Sequence, residues 1–539
     1  MRLEKNMRHN KFFQLLKINK FTVFFTVFLF LCIISAIVIK LGINAHGLAV
    51  FKNNISNFFN QSAVNKSSLL TKSFEQLWIT IKYTATGTFI GFILGFLLGY
   101  LSSLRITNNF TAIFVKLGII FFRSFPVVIF INLFNTSFNS DLSAIIIISW
   151  FSMLWNAKYI ADYIENSKVE QFKKFVNRSQ NHLSSFINNI FIDIKSKILV
   201  LFAYSLESNF RWTTILSAVG LIGIGQLIND PISINNDFAS TLIPLLVLMV
   251  FLLINEGALY LFETYLVARK SYPKTKNLNK LLTIKKYLVY LIFILIITFS
   301  IYSIFSIRLR VNNLLIFTDF FQRLFNFNKS FFATTTFNEN PLLMIILLTL
   351  QAILILGIVF IFSLLFATLC SNLLNRYVSL FFKALFLIIR TIPLIIVFRL
   401  FNPLFNSGIS TIVFIGSLYF STSLAKKIYV LINSINWTVV TSLKSKLYTN
   451  FEILRVYIIP SIRKDLVTVY QLEFESILRT IITLGAYGTS VIGQLLDIYI
   501  YRGSIENLGS YVISIMVYFQ VIDLLSIMVR YKKFFYTNK

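Results

Sequence analysis

Long apolar runs alternate with short polar breaks along most of this chain, and each run is of roughly 18 to 30 residues, enough to cross a bilayer as a helix. They fall near 21–39, 77–104, 111–134, 142–164, 198–226 and 241–266, and after a basic connector they recur near 287–306, 342–373, 377–401, 409–433, 466–495 and 509–530. The pattern predicts an all-α integral membrane protein with about 12 transmembrane helices, six on each side of the connector. The first run, Phe21 to Ile39, is flanked by Lys20 and Lys40 and shows no small-residue cleavage site. It therefore reads as a retained span rather than a signal peptide.

Composition agrees. The chain is 56% hydrophobic and only 13% charged, with 50 Lys and Arg against 21 Asp and Glu, a net charge of +29. Its mean hydropathy is +0.75. An ordinary soluble protein carries about 25% charge. In a soluble domain the basic excess would suggest nucleic acid, but here placement decides. Basic residues collect in alternate loops, as in Arg2, Lys5, Arg8, Lys11, Lys17 and Lys20, and again in Arg269, Lys270, Lys274, Lys276, Lys280, Lys285 and Lys286. That is the pattern of cytoplasmic loops, and it calls for no nucleic acid partner. With Lys532, Lys533 and Lys539 at the end of the chain, both termini are expected inside, and Asp230, Asp237, Asp319 and Glu339 outside. Cys32 and Cys370 lie far apart in apolar runs and His9, His46 and His182 in unrelated polar contexts, so neither a metal site nor a disulfide framework is expected.

The polar residues inside the apolar runs repeat. Glu207-Ser208-x-x-Arg211, Gly220 and Gly225-Gln226-Leu227 return as Glu475-Ser476-x-x-Arg479, Gly488 and Gly493-Gln494-Leu495, about 268 residues later. Arg123-Ser124-Phe125-Pro126 returns as Arg390-Thr391-Ile392-Pro393. Charged residues, Pro and Gly keeping one order and register point to two fused homologous halves. The expected division is a first half over 1–266 (helix 21–39 plus a core over 77–266), a basic linker over 267–286 and a second half over 287–539 with its core at 342–530. An even number of spans per half lets an axis along the membrane normal relate the halves, with a cleft between them.

Glu207 and Arg211, like Glu475 and Arg479, are spaced i, i+4 with the acid first, the favourable order for a helical ion pair. Each charge costs on the order of 2.5–3.5 kcal/mol at mid-bilayer, so the pairs must face protein or a water-filled cavity. Two readings stand: a lock between the fifth helix of each half and its neighbours, or part of a gate. The glycines at 220, 223, 225, 485, 488 and 493 permit close helix approach or a helix break, and Pro126 and Pro393 kink or start the third span. Two long inside loops, about 165–197 and 434–465, separate spans four and five of each half. The second holds Lys444, Lys446, Arg455, Arg463 and Lys464 and a helix-like run, Asn450 to Ile459, closed by Pro460. Such a helix could offer a face to a partner or be a solvated connector.

No G-x-x-x-x-G-K-[ST] sequence occurs, so this chain has no P-loop for ATP, and no intramembrane His and carboxylate pairing suggests a hydrolase. An enzyme is not expected, nor a cofactor.

These residues resemble the permease subunits of ABC importers of the phosphonate-transport type. In that type an R-[ST]-x-P element, a long cytoplasmic loop, an E-x-x-x-R helix and a glycine-rich segment ending in Gln-Leu occur in this order. The match covers about 77–266 and 342–530, and Glu207, Arg211, Gly220, Gly225, Gln226, Glu475, Arg479, Gly488, Gly493 and Gln494 are the residues expected at a gate or translocation path. The second long loop stands where the family has its coupling helix. Pro460 fits the terminal proline, with Tyr457 and Ile459 at the hydrophobic places, while Thr441 and Leu447 stand where Glu and Gly are expected. In the first half Ile192 takes the place of the proline. The resemblance implies alternating access driven by two ABC ATPase subunits on the cytoplasmic side, with substrate delivered by an extracellular substrate-binding lipoprotein. Phosphonate, a phosphate-like anion and a thiamine-type compound all fit as substrate. A secondary transporter also has twelve spans in two parallel halves, but usually carries a glycine and basic motif after the second span, where this chain has Ser102-Ser103-Leu104-Arg105-Ile106. A membrane scaffold would not require polar groups in the fifth span of both halves.

Overall fold

A computed structural model describes residues 20–60, 65–167, 169–176, 181–218, 220–235, 237–262, 278–306, 310–336, 338–371 and 373–535. Arg2, Lys5, Arg8, His9, Lys11 and Lys17, the connector residues Arg269, Lys270, Lys274 and Lys276, and Lys539 lie outside the described residues. Every long element is a helix; among the described residues the extended contacts are two isolated bridges, Ile43 with Phe405 and Phe138 with Val311.

In chain order the main helices are α1 (Lys20–Ile39), α2 (Gly47–Phe59), α3 (Lys66–Leu101), α4 (Asn109–Arg123), α5 (Val127–Ser137), α6 (Ser140–Glu165), α7 (Val169–Val176), α8 (Ile192–Ala218), α9 (Ile224–Asn235), α10 (Leu242–Leu261) and α11 (Leu278–Ser306). They continue as α12 (Leu315–Phe325), α13 (Pro341–Cys370), α14 (Arg376–Thr391), α15 (Leu394–Phe401), α16 (Ser417–Asn433), α17 (Trp437–Ser445), α18 (Asn450–Ile453), α19 (Ile459–Thr483), α20 (Val491–Tyr501) and α21 (Ile505–Phe535).

The tightest helix pair is α3 against α6. Gly87, Gly91, Gly95 and Gly99 recur every fourth residue of α3 and so share one face. A Cβ on Gly91 would stand 2.4 Å from the Ser149 carbonyl oxygen, and one on Gly95 2.8 Å from that of Met153. The absent side chains let the two backbones meet, the packing that replaces hydrophobic attraction where the surroundings are as apolar as the helices. Asn209 on α8 closes the triangle, its amide donating to Thr88 Oγ1 at 2.8 Å and to Ser152 Oγ at 2.5 Å.

Two apolar runs expected as single spans are sharply broken. The axes of α4 and α5 meet at 83°, and those of α14 and α15 at 82°. Pro126 and Pro393 cap the second helix of each pair, where the missing N–H costs nothing and the fixed φ suits a helix start. One consequence is that Arg123 and Arg390, in the last turns of α4 and α14, point inward at the corners.

Long-range packing is crossed. The amino-terminal helix α1 lies against α13, with the Cys32 sulfur 2.7 Å from where a Cβ on Gly357 would stand. In the mirror arrangement α11 lies against α3, Trp78 meeting Phe299 at 5.6 Å between ring centroids. Two connections cross too: the Asn44 N–H donates to the Leu404 carbonyl at 2.8 Å, and that of Asn312 to the Ser137 carbonyl at 2.9 Å. A single apolar core containing Ile129, Ile147, Ile355 and Ile481 runs through both parts of the chain.

Among the described residues, seven helices are long and apolar enough to cross a membrane, or nine if each bent pair is one span. The expected twelve therefore includes three runs that fall short. In α1 the described apolar stretch is Thr26–Ile39. The other two, α8 and α19, are too polar by composition: α8 carries Asp193, Lys195, Lys197, Glu207 and Arg211, and α19 carries Arg463, Lys464, Asp465, Glu473, Glu475 and Arg479.

Candidate functional site

The two charged helices α8 and α19 carry the polar centre of the molecule. On α19, Glu475 and Arg479 form the pair expected from their spacing, with Arg479 Nη2 3.0 Å from Glu475 Oε1. Arg123 arrives from α4, 2% exposed, and ion-pairs with the same Glu475 oxygen. Arg123 also donates to Asp523 Oδ1 on α21 at 2.9 Å. Lys158 on α6 stands 3.7 Å from Glu475 and 3.6 Å from Asp523. Arg479 Nη1 donates to the Arg123 carbonyl at 2.6 Å, so side chain and backbone of the corner are both held. Two aromatic faces complete the walls, Trp155 under the Arg123 guanidinium at 4.8 Å and Phe519 under that of Arg479 at 4.4 Å.

A second cluster is built from the corresponding positions. On α8, Glu207 pairs with Arg211. Arg390 from α14 ion-pairs with Glu256 of α10, to which Lys426 of α16 comes within 2.8 Å and Arg211 within 2.6 Å. The members match pairwise at the spacing of the repeated motifs: Arg123 with Arg390, Lys158 with Lys426, Glu475 with Glu207, Arg479 with Arg211, and Asp523 with Glu256.

The hubs differ, and side-chain length explains why. Glu256 is one methylene longer than Asp523 and reaches three cations; Asp523 reaches two, and Glu475 takes the third position. Each cluster holds three cations and two carboxylates, with a surplus of one positive charge.

The Glu475–Arg479 pair meets Arg123 of the first R-[ST]-x-P corner directly, and the Glu207–Arg211 pair is joined to Arg390 of the second through Glu256. Sequence reasoning named the corners and the E-x-x-x-R pairs, but missed Lys158, Lys426, Glu256 and Asp523. The signal was present, since all four keep the repeat spacing, but single charges in apolar runs do not form a motif.

The glycine segments follow the charged helices directly. After α8 the chain turns through Gly220 at φ +118° and Gly223 at φ +131°, conformations that favour glycine. Gly223 has a second reason to be glycine, because a Cβ there would be 2.4 Å from Thr80 Oγ1. The Tyr83 hydroxyl donates to the Ile222 carbonyl at 2.7 Å and pins this turn to α3. After α19, Gly488 sits at φ +86°, and Gly485 and Gly493 touch backbone to backbone. Gly225 packs on the Thr214 carbonyl. Gln226 and Gln494 are exposed and belong to neither ion cluster. The two turns are bridged: Asn229 Nδ2 donates to the Tyr487 hydroxyl at 3.1 Å, and the Arg399 guanidinium lies 4.6 Å over the Tyr487 ring.

In the second long loop Thr441 lies on α17 and Leu447 just past its end. The Leu447 N–H donates to the Lys444 carbonyl at 3.0 Å and the Tyr448 N–H to the Leu443 carbonyl at 3.2 Å. This is the Schellman arrangement, in which the residue in the Leu447 place is usually glycine. Leu447 adopts it with φ +62° and is 91% exposed. Helix α18 opens with a capping box between Thr449 and Glu452. The backbone N–H and hydroxyl of Thr449 hold the Glu452 carboxyl below its ordinary value. Pro460 does not close the run that starts at Asn450. The chain passes through a wider turn at Leu454–Ile458 into α19, and Ile459 and Pro460 occupy its first turn, where a proline is tolerated. Tyr457 reaches back to the Asn436 carbonyl at 3.5 Å.

Helices of this length and polarity, with buried charge confined to their mutual contacts, define a multi-pass helical membrane protein. No family model matches the chain, and no solved structure does. It is similar to the ABC transport system permease protein p69 of Mycoplasma genitalium, 33% identical over 492 residues that cover 90% of each chain. It is also similar to the protein of the same name from Mycoplasma pneumoniae, 31% identical over 497 residues, 91% of each. The chain belongs to this family of ABC transport system permeases.

Proposed function

We propose that this chain is the permease subunit of an ATP-driven importer, a fusion of two homologous six-helix halves that moves substrate by alternating access. The twelve spans of this reading are the nine apolar spans together with α1, α8 and α19, the last two shielded from lipid by the helices around their charges. The observation that carries it is the pair of crossed clusters: five positions recur at a spacing of 267 or 268 residues and occupy equivalent places around two centres. Each centre joins an R-[ST]-x-P corner of one half to the E-x-x-x-R helix of the other. Rocking the halves must strain or remake both centres, so they act as paired latches on the path, and the adjoining glycine turns, with Gly220, Gly225, Gly488 and Gly493, are the segments that yield.

The loops at 165–197 and 434–465 dock two ABC ATPase subunits on the side where both termini lie. Support comes from Leu447: it stands where the family pattern expects a glycine, and its left-handed backbone in a Schellman turn is a place that usually takes glycine. A substrate-binding lipoprotein delivers cargo on the opposite side. The cargo is a phosphonate, a phosphate-like anion or a thiamine-type compound.

The test is to purify the full chain with candidate ABC ATPase subunits and measure hydrolysis in nanodiscs. Stimulated hydrolysis that is lost on replacing Leu447, Tyr448 and Phe451 by Asp is the expected result. Association and hydrolysis indifferent to these changes and to changes in 165–197 would sink the proposal.

A further inference from the structure

Beside the ion clusters, one further group of cations stands out. Helix α14 begins where the apolar run of α13 ends at Cys370 and the chain turns back, which places this turn at a membrane–water boundary. At the turn is a cavity of about 380 Å³ lined by Leu374, Arg376, Ser379, Leu380 and Lys383. The last four are spaced i, i+3, i+4 and i+7 and form one stripe of the helix. Ser379 is held by its hydroxyl donating to the Cys370 carbonyl at 2.7 Å, and the Lys383 ammonium lies 5.1 Å over the Tyr429 ring. Lys444 donates to the Leu373 carbonyl at 3.0 Å and adds a third positive charge to the neighbourhood.

Among the described residues, neither Arg376 nor Lys383 has a carboxylate within ion-pair distance. The corresponding place on the other bent pair is different. There Asn109 stands for Arg376, and Lys116 lies 3.7 Å from Glu165. The same helix α14 also exposes Tyr377 at 79%, with Val378, Phe381 and Leu385 exposed beside it, a large apolar surface directly next to the cationic stripe.

We propose that this cavity binds the phosphate headgroup of an anionic phospholipid, with Arg376 and Lys383 on the phosphate and the acyl chains lying along the exposed face of α14. Basic pockets at the end of a spanning helix hold such headgroups, and aromatic rings beside them suit the same depth. The site is independent of what the chain transports, so it stands or falls separately from the importer reading.

The experiment is native mass spectrometry of the full chain released from nanodiscs of mixed phosphatidylglycerol and phosphatidylcholine. The wild-type chain is expected to retain the anionic lipid with a preference of roughly thirty-fold. Arg376→Gln with Lys383→Gln should reduce this to a few-fold, and Lys116→Gln should leave it unchanged. Arg376→Lys with Lys383→Arg, which keeps both charges, should preserve the preference and separates binding from misfolding. If the neutral double variant fails to fold, Arg376→Gln alone, at an exposed position, is expected to lower the preference by about five-fold. Equal retention of the two lipids by the wild type, or retention unchanged in the Gln variants of Arg376 and Lys383 that fold, overturns the proposal. So does displacement of the lipid by millimolar inorganic phosphate, which would mark a site for a free anion.

Discussion

Arg123 donates to Asp523 across 2.9 Å, although 400 residues of chain separate them. Glu475 and Lys158 share that contact, so the group is a network rather than a pair. Removing one member of a buried pair leaves its partner uncompensated, at about 3–5 kcal/mol. Arg123→Gln is expected to lower stability by that amount in thermal unfolding of the reconstituted chain. The double variant Arg123→Gln, Asp523→Asn should cost less than the sum of its parts, because the two groups are coupled. Strict additivity would contradict the network.

The second cluster makes a ranking. Glu256 accepts from Arg390, Lys426 and Arg211, whereas Glu207 pairs with Arg211, which retains Glu256 if Glu207 is lost. Glu256→Gln should therefore destabilise more than Glu207→Gln, by roughly 1 kcal/mol or more. The two unfolding midpoints, measured side by side, check the order.

Close backbone approach separates two glycines of equal sequence context. Gly91→Ala puts a methyl 2.4 Å from the Ser149 carbonyl and must push α3 from α6, with an expected loss of a few kcal/mol. Gly118, on α4, has nothing within 4 Å of a new Cβ. Gly118→Ala should be neutral or stabilise by up to about 1 kcal/mol, since glycine weakens a helix interior. Expression and unfolding temperature of the two variants give the comparison.

Leu447 holds a left-handed backbone at a cost of about 1–2 kcal/mol. Leu447→Gly should relieve much of it, seen as slower hydrogen exchange at the Leu447 and Tyr448 amides. Faster exchange would mean the leucine side chain is itself needed to hold the turn.

The Glu452 carboxyl is held below its ordinary value by Thr449. A lowered folded value means that the contribution is present above the unfolded carboxylate range, about pH 4.3, and is lost as pH falls through the folded value. Protection of the α18 amides, corrected for intrinsic exchange, should persist as pH falls through the ordinary carboxylate range and be lost below it. Glu452→Gln should remove that pH dependence.

Much of the helical pattern was legible because apolar runs declare themselves by length, as Pro341–Cys370 does. The right-angle corners after Arg123 and Arg390 were not. A proline marks a break without giving its angle, and each run looked continuous across it. The charged centre was half legible: Glu475 and Arg479 are neighbours on one helix, so spacing alone pairs them. Arg123 and Asp523 reach them from distant helices, and nothing local in either run records the meeting. Leu447 misled in the opposite way, since a leucine conceals a turn that glycine would have announced.

The crossing of α1 onto α13 and of α11 onto α3 bears on how the chain is joined. The first helix of each part is stacked on the other part, so the two embrace like clasped hands and are joined by more than the connector between residues 262 and 278. Two polypeptides divided within that connector and expressed together should find each other in the membrane and copurify. The fusion would then fix the ratio of the two parts at one to one, while the clasp holds them.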